Sequence, residues 1–190
     1  MKQIKKYKPL GQYIYENHDT EYSTDKFFEK TAPLIGYIVH SFNSLESELN
    51  SRICFEISSR SDYIGVIVIH KMSYSQKVDL FKRMIRSKEL AIEIEYPSLQ
   101  SNIDDLHECG KLRNAVVHAE WENMDSDGYT YVNMKFNKKG WEQEYQQFTV
   151  ESLEAIDEFI HETYLRLGEF EEEMIEIERK LNKRNTTDKT

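Results

Sequence analysis

Glycine and proline are scarce in this chain, with seven and three among 190 residues. So few breakers exclude an all-β fold of many short strands, because each strand would need turn residues at both ends. Cysteine is scarcer still. Cys54 and Cys109 stand far apart and outside any Cys-x-x-Cys spacing, so no disulfide or zinc framework is implied, and both read as reduced, buried thiols. Long apolar runs are missing too: the longest, Tyr63 to Ile69, falls far short of the roughly 20 residues that cross a bilayer. The basic start from Met1 to Lys8 is not followed by an apolar core of signal-peptide length, so a cytoplasmic protein with no membrane partner is expected. Positive charge is in deficit, with 25 Lys and Arg against 34 Asp and Glu. The resulting net charge of −9 argues against a general nucleic-acid coat, since binding without sequence preference rests on neutralising phosphates. A local basic site stays open.

What the chain has in quantity is charged and apolar residues at helical spacing. Its length suits one domain with a single core that buries about 70% of the unfolded surface. Residues 1–22 read as a polar, loosely ordered arm with four lysines near its start and tyrosines at 13, 15 and 22, the alternative being that these tyrosines pack against the bundle. Residues 23–183 read as one helical domain, and 184–190 as a disordered tail. Ser23-Thr24-Asp25 is helix-start chemistry, but Pro33 predicts that the main first helix begins, or restarts, near Thr31. From there Ile38, Val39, Phe42, Leu45, Leu49 and Ile53 recur at threes and fours to about Ile57. Tyr63 to Ile69 is β-branched enough to suggest an extended segment, although periodicity cannot separate it from a short helix. Ser73 or Ser75 can cap the next helix, and Pro97-Ser98 opens another that runs to about residue 123.

Two strand-like runs, about 129–148, form a hairpin around Asn137-Lys138-Lys139-Gly140, after turn chemistry at Asp125 to Gly128. Thr149 then caps a long last helix whose apolar positions, Leu153 to Leu181, keep heptad spacing. Such a stripe suffices for a long antiparallel partner within the fold or for a dimer seam.

Polar residues on apolar stripes single out a site. Glu46 falls in the middle of the first helix's apolar face and needs a partner there, or an edge position that reaches water, whereas Glu48 falls on the polar side. On the helix that Pro97-Ser98 opens, His107, Asn114 and His118 share a stripe beside the apolar arc. Arg113 lies within that arc, so its guanidinium must reach the polar stripe or meet a buried acid, for which Glu46 is the natural candidate. A metal site from His107, Cys109 and His118 is disfavoured by their irregular helical positions, and no cofactor motif is present.

The run Arg113-Asn114-Ala115-Val116-Val117-His118 resembles the motif of the HEPN superfamily, small helical domains in which Arg, a following polar residue and a His lie on one late helix. The order of elements is similar as well, with a mainly α bundle of four to five helices, an inward acid at Glu46 and a small β-hairpin insertion. The resemblance implies a homodimer whose motif helices meet in a composite cleft. It also implies a metal-independent endoribonuclease acting on RNA in a bacterial toxin, stress or anti-phage defence role, with a protein or nucleotidyltransferase antitoxin as a further partner. The residue types suit that chemistry. An imidazole such as that of His118 can give or take a proton near neutral pH, Arg113 can grip two phosphate oxygens, and Asn114 can orient the imidazole or donate to phosphate. The rival is a non-catalytic dimeric interaction module in which Arg113 and Glu46 pair to hold helices in register and His118 is a satisfied interfacial residue.

Overall fold

Helix dominates, as the shortage of breakers requires. The computed structural model describes residues 4–9, 24–121, 124, 127–138 and 140–187. In chain order it holds β1 (Lys5–Pro9), α1 (Thr24–Ile57), α2 (Tyr63–Ile69), α3 (Tyr74–Ile92), α4 (Leu99–Val117), β2 (Tyr129–Asn137), β3 (Gly140–Gln147) and α5 (Val150–Thr187). The tyrosines at 13, 15 and 22, the Ser23 cap, part of the turn before β2, Lys139 at the hairpin tip and residues 188–190 lie outside the described residues. Among the described residues, no helix is long and apolar enough to cross a membrane.

The chain forms two compact units that are interleaved in sequence: Met1–Ser41 with Lys111–Glu158, and Phe42–Gly110 with Phe159–Thr190. The first contains a three-stranded antiparallel sheet in the order β1-β3-β2. Lys5 to Pro9 therefore belong to an edge strand of that sheet, not to a loose arm, with Lys5 opposite Gln146 and Tyr7 opposite Glu144. Extended backbone with alternating side chains meets an open edge there, which outweighs the strand's polar composition. The β2–β3 register slips between Tyr131 and Asn133, leaving Val132 as a bulge. Behind the sheet, Ile38, Leu112, Val116, Tyr145, Phe148, Leu153 and Ile156 are buried, and Ser41 Oγ donates to Asp157 Oδ1 at 2.6 Å.

The helix expected to start near Thr31 starts at Thr24 and runs through Pro33. A mid-helix proline costs about 3 kcal/mol, partly for the lost bond to the carbonyl four residues back. Here it faces solvent, while fully buried Thr31 and Ile38 anchor the helix on either side of it, and Thr31 Oγ1 donates to the Phe27 carbonyl at 3.0 Å. Helix α4 stops at Val117, several residues before the expected end near 123, because the next residues bond to the sheet. At the other extreme α5 continues to Thr187 where a disordered tail was expected, since no breaker interrupts its last turns.

The second unit is helical. Tyr63 to Ile69 is helix, not strand, and only Gly65 and Ile69 of it are buried. At Gly65 a Cβ would lie 2.7 Å from the Cys54 Cα, so the two helices touch backbone to backbone at that point. Tyr63, Ile64, Val66, Ile67 and Val68 are left exposed. Ser73 caps α3 in a reciprocal box with Gln76, as its position promised. The heptad stripe of α5 is consumed inside the protein, with Ile160, Thr163, Leu167, Phe170 and Met174 buried; Phe170 meets Phe81 and Tyr96 edge to face.

Candidate active site

The end of α4 is where local sequence and tertiary bonding meet. His118 is the first residue past the helix, its N–H still donating to the Asn114 carbonyl at 3.0 Å. The chain beyond it is fastened to β2: Glu120 N–H donates to the Tyr131 carbonyl at 2.9 Å, and Thr130 Oγ1 donates to the Glu120 carbonyl at 2.6 Å. Trp121 closes the helix end from outside. Its Nε1 donates to the Val116 carbonyl at 3.0 Å, one of the last-turn acceptors a helix leaves open, and its ring packs on Phe148 with centroids 5.0 Å apart. His118 thus sits on a turn held from both sides while its own side chain is exposed.

A cavity of about 430 Å³ opens in front of it. From α4 come Lys111, Asn114 and Ala115, and from the turn just past its end His118, spaced 0, 3, 4 and 7 so that the helix face carries on into the turn. The bulge in β2 brings Val132 and Asn133 to the same space, followed by Lys135. The sheet's floor is Glu144 and Gln146 of β3, and Lys5 of β1 completes the wall. Glu144 is buried between two lysines, 2.7 Å from Lys5 Nζ and 2.6 Å from Lys135 Nζ. Burial alone would raise its carboxyl pKa, but the bonds from Lys135 and Lys5 outweigh that and hold it below the ordinary carboxylate value. The same pairing raises the Lys135 ammonium, chiefly through the bond to Glu144. Gln146 is 1% exposed, and its Oε1 has no hydrogen-bond partner.

Of the four residues singled out in the sequence, the cavity brings Asn114 and His118 together. Arg113 is half-buried beside them, and its Nη1 donates to Asn114 Oδ1 at 3.1 Å, so the guanidinium takes a bond on the polar stripe. That bond occupies the carbonyl end of the amide and leaves the NH₂ end as Asn114's donor for a ligand. Glu46 belongs to the other unit, where its carboxylate pairs with Lys77 at 2.7 Å, a partner the sequence reading had not offered. Glu48, expected on a solvated face, is as shielded as Glu46, because Arg52 bonds both to it and to Glu171 and covers that side. His107 also lies in the second unit, 3.3 Å from an Asp79 carboxylate oxygen. Among the described residues, no group of three His, Cys, Asp or Glu side chains is placed to hold a metal ion.

Sequence reasoning missed Lys5, Lys111, Lys135, Glu144 and Gln146. Lys111 was legible, since it lies three and seven positions before Asn114 and His118. The others depend on strand register and on a bulge, which residue spacing does not disclose. Compared with family models, with curated proteins and with solved structures, the chain matches none.

Proposed function

We propose that the protein is a metal-independent endoribonuclease of the HEPN kind, a helical domain with a hairpin insertion, serving a bacterial toxin, stress or defence role. The observation that carries this reading is the exposed His118 at a cationic cavity, next to an Asn114 that is itself bonded to Arg113. A phosphodiester entering there would meet the His118 imidazole and the Asn114 amide, to which the Arg113 guanidinium is bonded. The 2′-oxygen forms a bond to phosphorus as its proton passes to an imidazole; the bond to the 5′-oxygen breaks, and that oxygen takes up a proton. The products are a 2′,3′-cyclic phosphate and a 5′-hydroxyl. Charge building on the non-bridging oxygens is met by the Arg113 guanidinium and the Asn114 amide. In a two-fold dimer a second copy would bring its own motif to the same cleft, so one imidazole takes a proton while the other gives one.

The rival, a non-catalytic dimeric interaction module, calls for His118 and Arg113 both to be sealed and fully paired once two copies meet, so activity decides between the two readings. The test is incubation of the purified protein with mixed RNA in EDTA. The proposal expects cleavage with cyclic phosphate ends and severe loss in Arg113→Lys, whose ammonium keeps the charge but lacks the planar fork. Absence of cleavage across varied RNAs by the folded wild-type protein would favour the interaction module.

A further inference from the structure

Helix α2 is the longest apolar run of the sequence, yet most of it faces water. At about 100° per residue, Gly65 and Ile69 fall together on the buried side, where Gly65 approaches Cys54 of α1. The other five side chains spread over the opposite arc, with Ile67 at its centre. Tyr63, Ile64, Val66 and Ile67 are each more than half exposed, and Val68 nearly so. A helix that is apolar all round is ordinarily buried, whereas this one is buried on one side only. Its exposed side chains present on the order of 500 Å² of apolar surface, in the upper part of the roughly 300 to 600 Å² of the largest patch on a typical monomer, a size that often marks a binding face.

We infer that this face is the seam of a homodimer, in which α2 of one copy lies antiparallel on α2 of the other about a two-fold axis near Ile67. Two properties choose a second copy as the occupant. The first is area: homodimer interfaces are about 65% apolar, so a patch on the order of 500 Å² corresponds to about 800 Å² buried per copy, the ordinary size of a stable interface. The second is the charge at the helix ends. Asp62 precedes α2 and Lys71 follows it; both are exposed, and the Asp62 carboxylate makes no cap bond to its own helix. Neither belongs to an ion pair among the described residues. Their midpoint falls between Val66 and Ile67, so a two-fold axis at the centre of the exposed arc sets the acidic end of each copy against the basic end of the other. A parallel pairing would set acid on acid and base on base. Arg60 lies two residues farther out than Asp62 and His70 stands beside Lys71, so the C-terminal end stays the more basic of the two.

A lipid surface fits this face less well. Helices that lie on membranes carry Lys and Arg along a polar face, which α2 lacks, and a net charge of −9 is repelled by anionic headgroups. The seam is remote in sequence from the α4 motif and does not depend on the endoribonuclease reading.

The experiment is sedimentation equilibrium of the full chain and its variants, with circular dichroism to show that each is folded. The wild type should be dimeric at micromolar concentration. Ile67→Glu puts a charge at the centre of the face and should weaken association roughly 100-fold or more. Asp62→Lys and Lys71→Asp should each weaken it about tenfold, since the two-fold repeats every like-charge contact. The double variant Asp62→Lys/Lys71→Asp should restore it, an outcome that no misfolded chain would give. A monomeric wild type, or a double variant no tighter than the single ones, would overturn the seam. So would a monomer that floats with phosphatidylcholine vesicles, which would assign the face to a membrane. An Ile67→Glu protein that stays as dimeric as the wild type would also overturn the seam, and would leave the motif cleft as the place where two copies meet. RNA cleavage by a monomeric Ile67→Glu protein would instead leave the seam standing and count against the composite cleft.

Discussion

The Lys5–Glu144–Lys135 triad predicts an asymmetry that can be measured. The Glu144 side chain is 4% exposed, whereas those of Lys5 and Lys135 are 37% and 47% exposed. In Glu144→Gln the two ammonium groups lose their acid but regain water, so after screening the loss should be about 1 to 2 kcal/mol. In the double variant Lys5→Met/Lys135→Met the carboxylate stays in the floor with no cation, and at pH 7 the loss should be about 3 to 5 kcal/mol. Acid separates the two cases further. In the wild type the carboxyl pKa is depressed, so the stability it contributes is present above the unfolded value of about 4.3 and is lost as pH falls through the folded value. Without the lysines only burial acts on it, its pKa rises above the unfolded one, and protonation relieves the folded state. The stability gap between wild type and double variant should therefore narrow as pH is lowered from 7 to 5. Urea unfolding of the three proteins at both pH values gives the answer. Equal losses in the two variants, or a gap that does not change with pH, would refute the reasoning.

Three further outcomes follow from the fold. Gly65→Ala should cost about 1 to 3 kcal/mol in thermal or urea melts, since its Cβ would press on the Cys54 backbone, while Gly36→Ala, with nothing within 4 Å, should gain about 0.5 to 1 kcal/mol; equal effects would contradict the packing of α2 on α1. Burial, with lesser contributions from Asp105 and Glu108, pushes the Cys109 thiol up to about 12, against the opposing bond from Thr163 and the charge of Arg166. A thiol reagent at pH 8 should thus label Cys109 only on unfolding, and rapid labelling of the native protein would contradict its placement. The exposed apolar face of α2, with Tyr63 74% exposed, and the proposed composite cleft both call for self-association, so sedimentation at micromolar concentration should give a dimer; a strictly monomeric mass would count against the two-fold cleft.

The long helices were legible because their signals repeat: α5 carries its apolar stripe from Leu153 to Met174, and a serine at 73 or 75 announces α3, of which the structure uses Ser73. What failed to show depends on contacts made far along the chain. Tyr63 to Ile69 has the composition of a strand, yet it is a helix that meets α1 backbone to backbone where Gly65 approaches Cys54. Lys5 to Pro9 has the composition of an arm and becomes a strand because β3 offers an edge. Pro33 is a strong local stop, yet buried neighbours on both sides carried α1 through it. The site was half visible. Asn114 and His118, four apart on one helix, were placed by periodicity alone, and they line the cavity together. Glu46 shows the limit of a helical wheel, which identified an acid in need of a cation but could not tell Lys77 from Arg113.

The central claim is that His118 moves a proton in RNA cleavage, and the most direct measurement is the single-turnover rate of wild type and His118→Ala on one RNA, beside melting curves of both. Because the His118 side chain is exposed and its turn is held by backbone bonds and by Trp121, melting should be unchanged. The rate should fall about 10² to 10⁴-fold, and an otherwise identical substrate with 2′-deoxyribose at the scissile position should be inert to both proteins. An undiminished rate in His118→Ala, or cleavage of the deoxy substrate, would contradict the account.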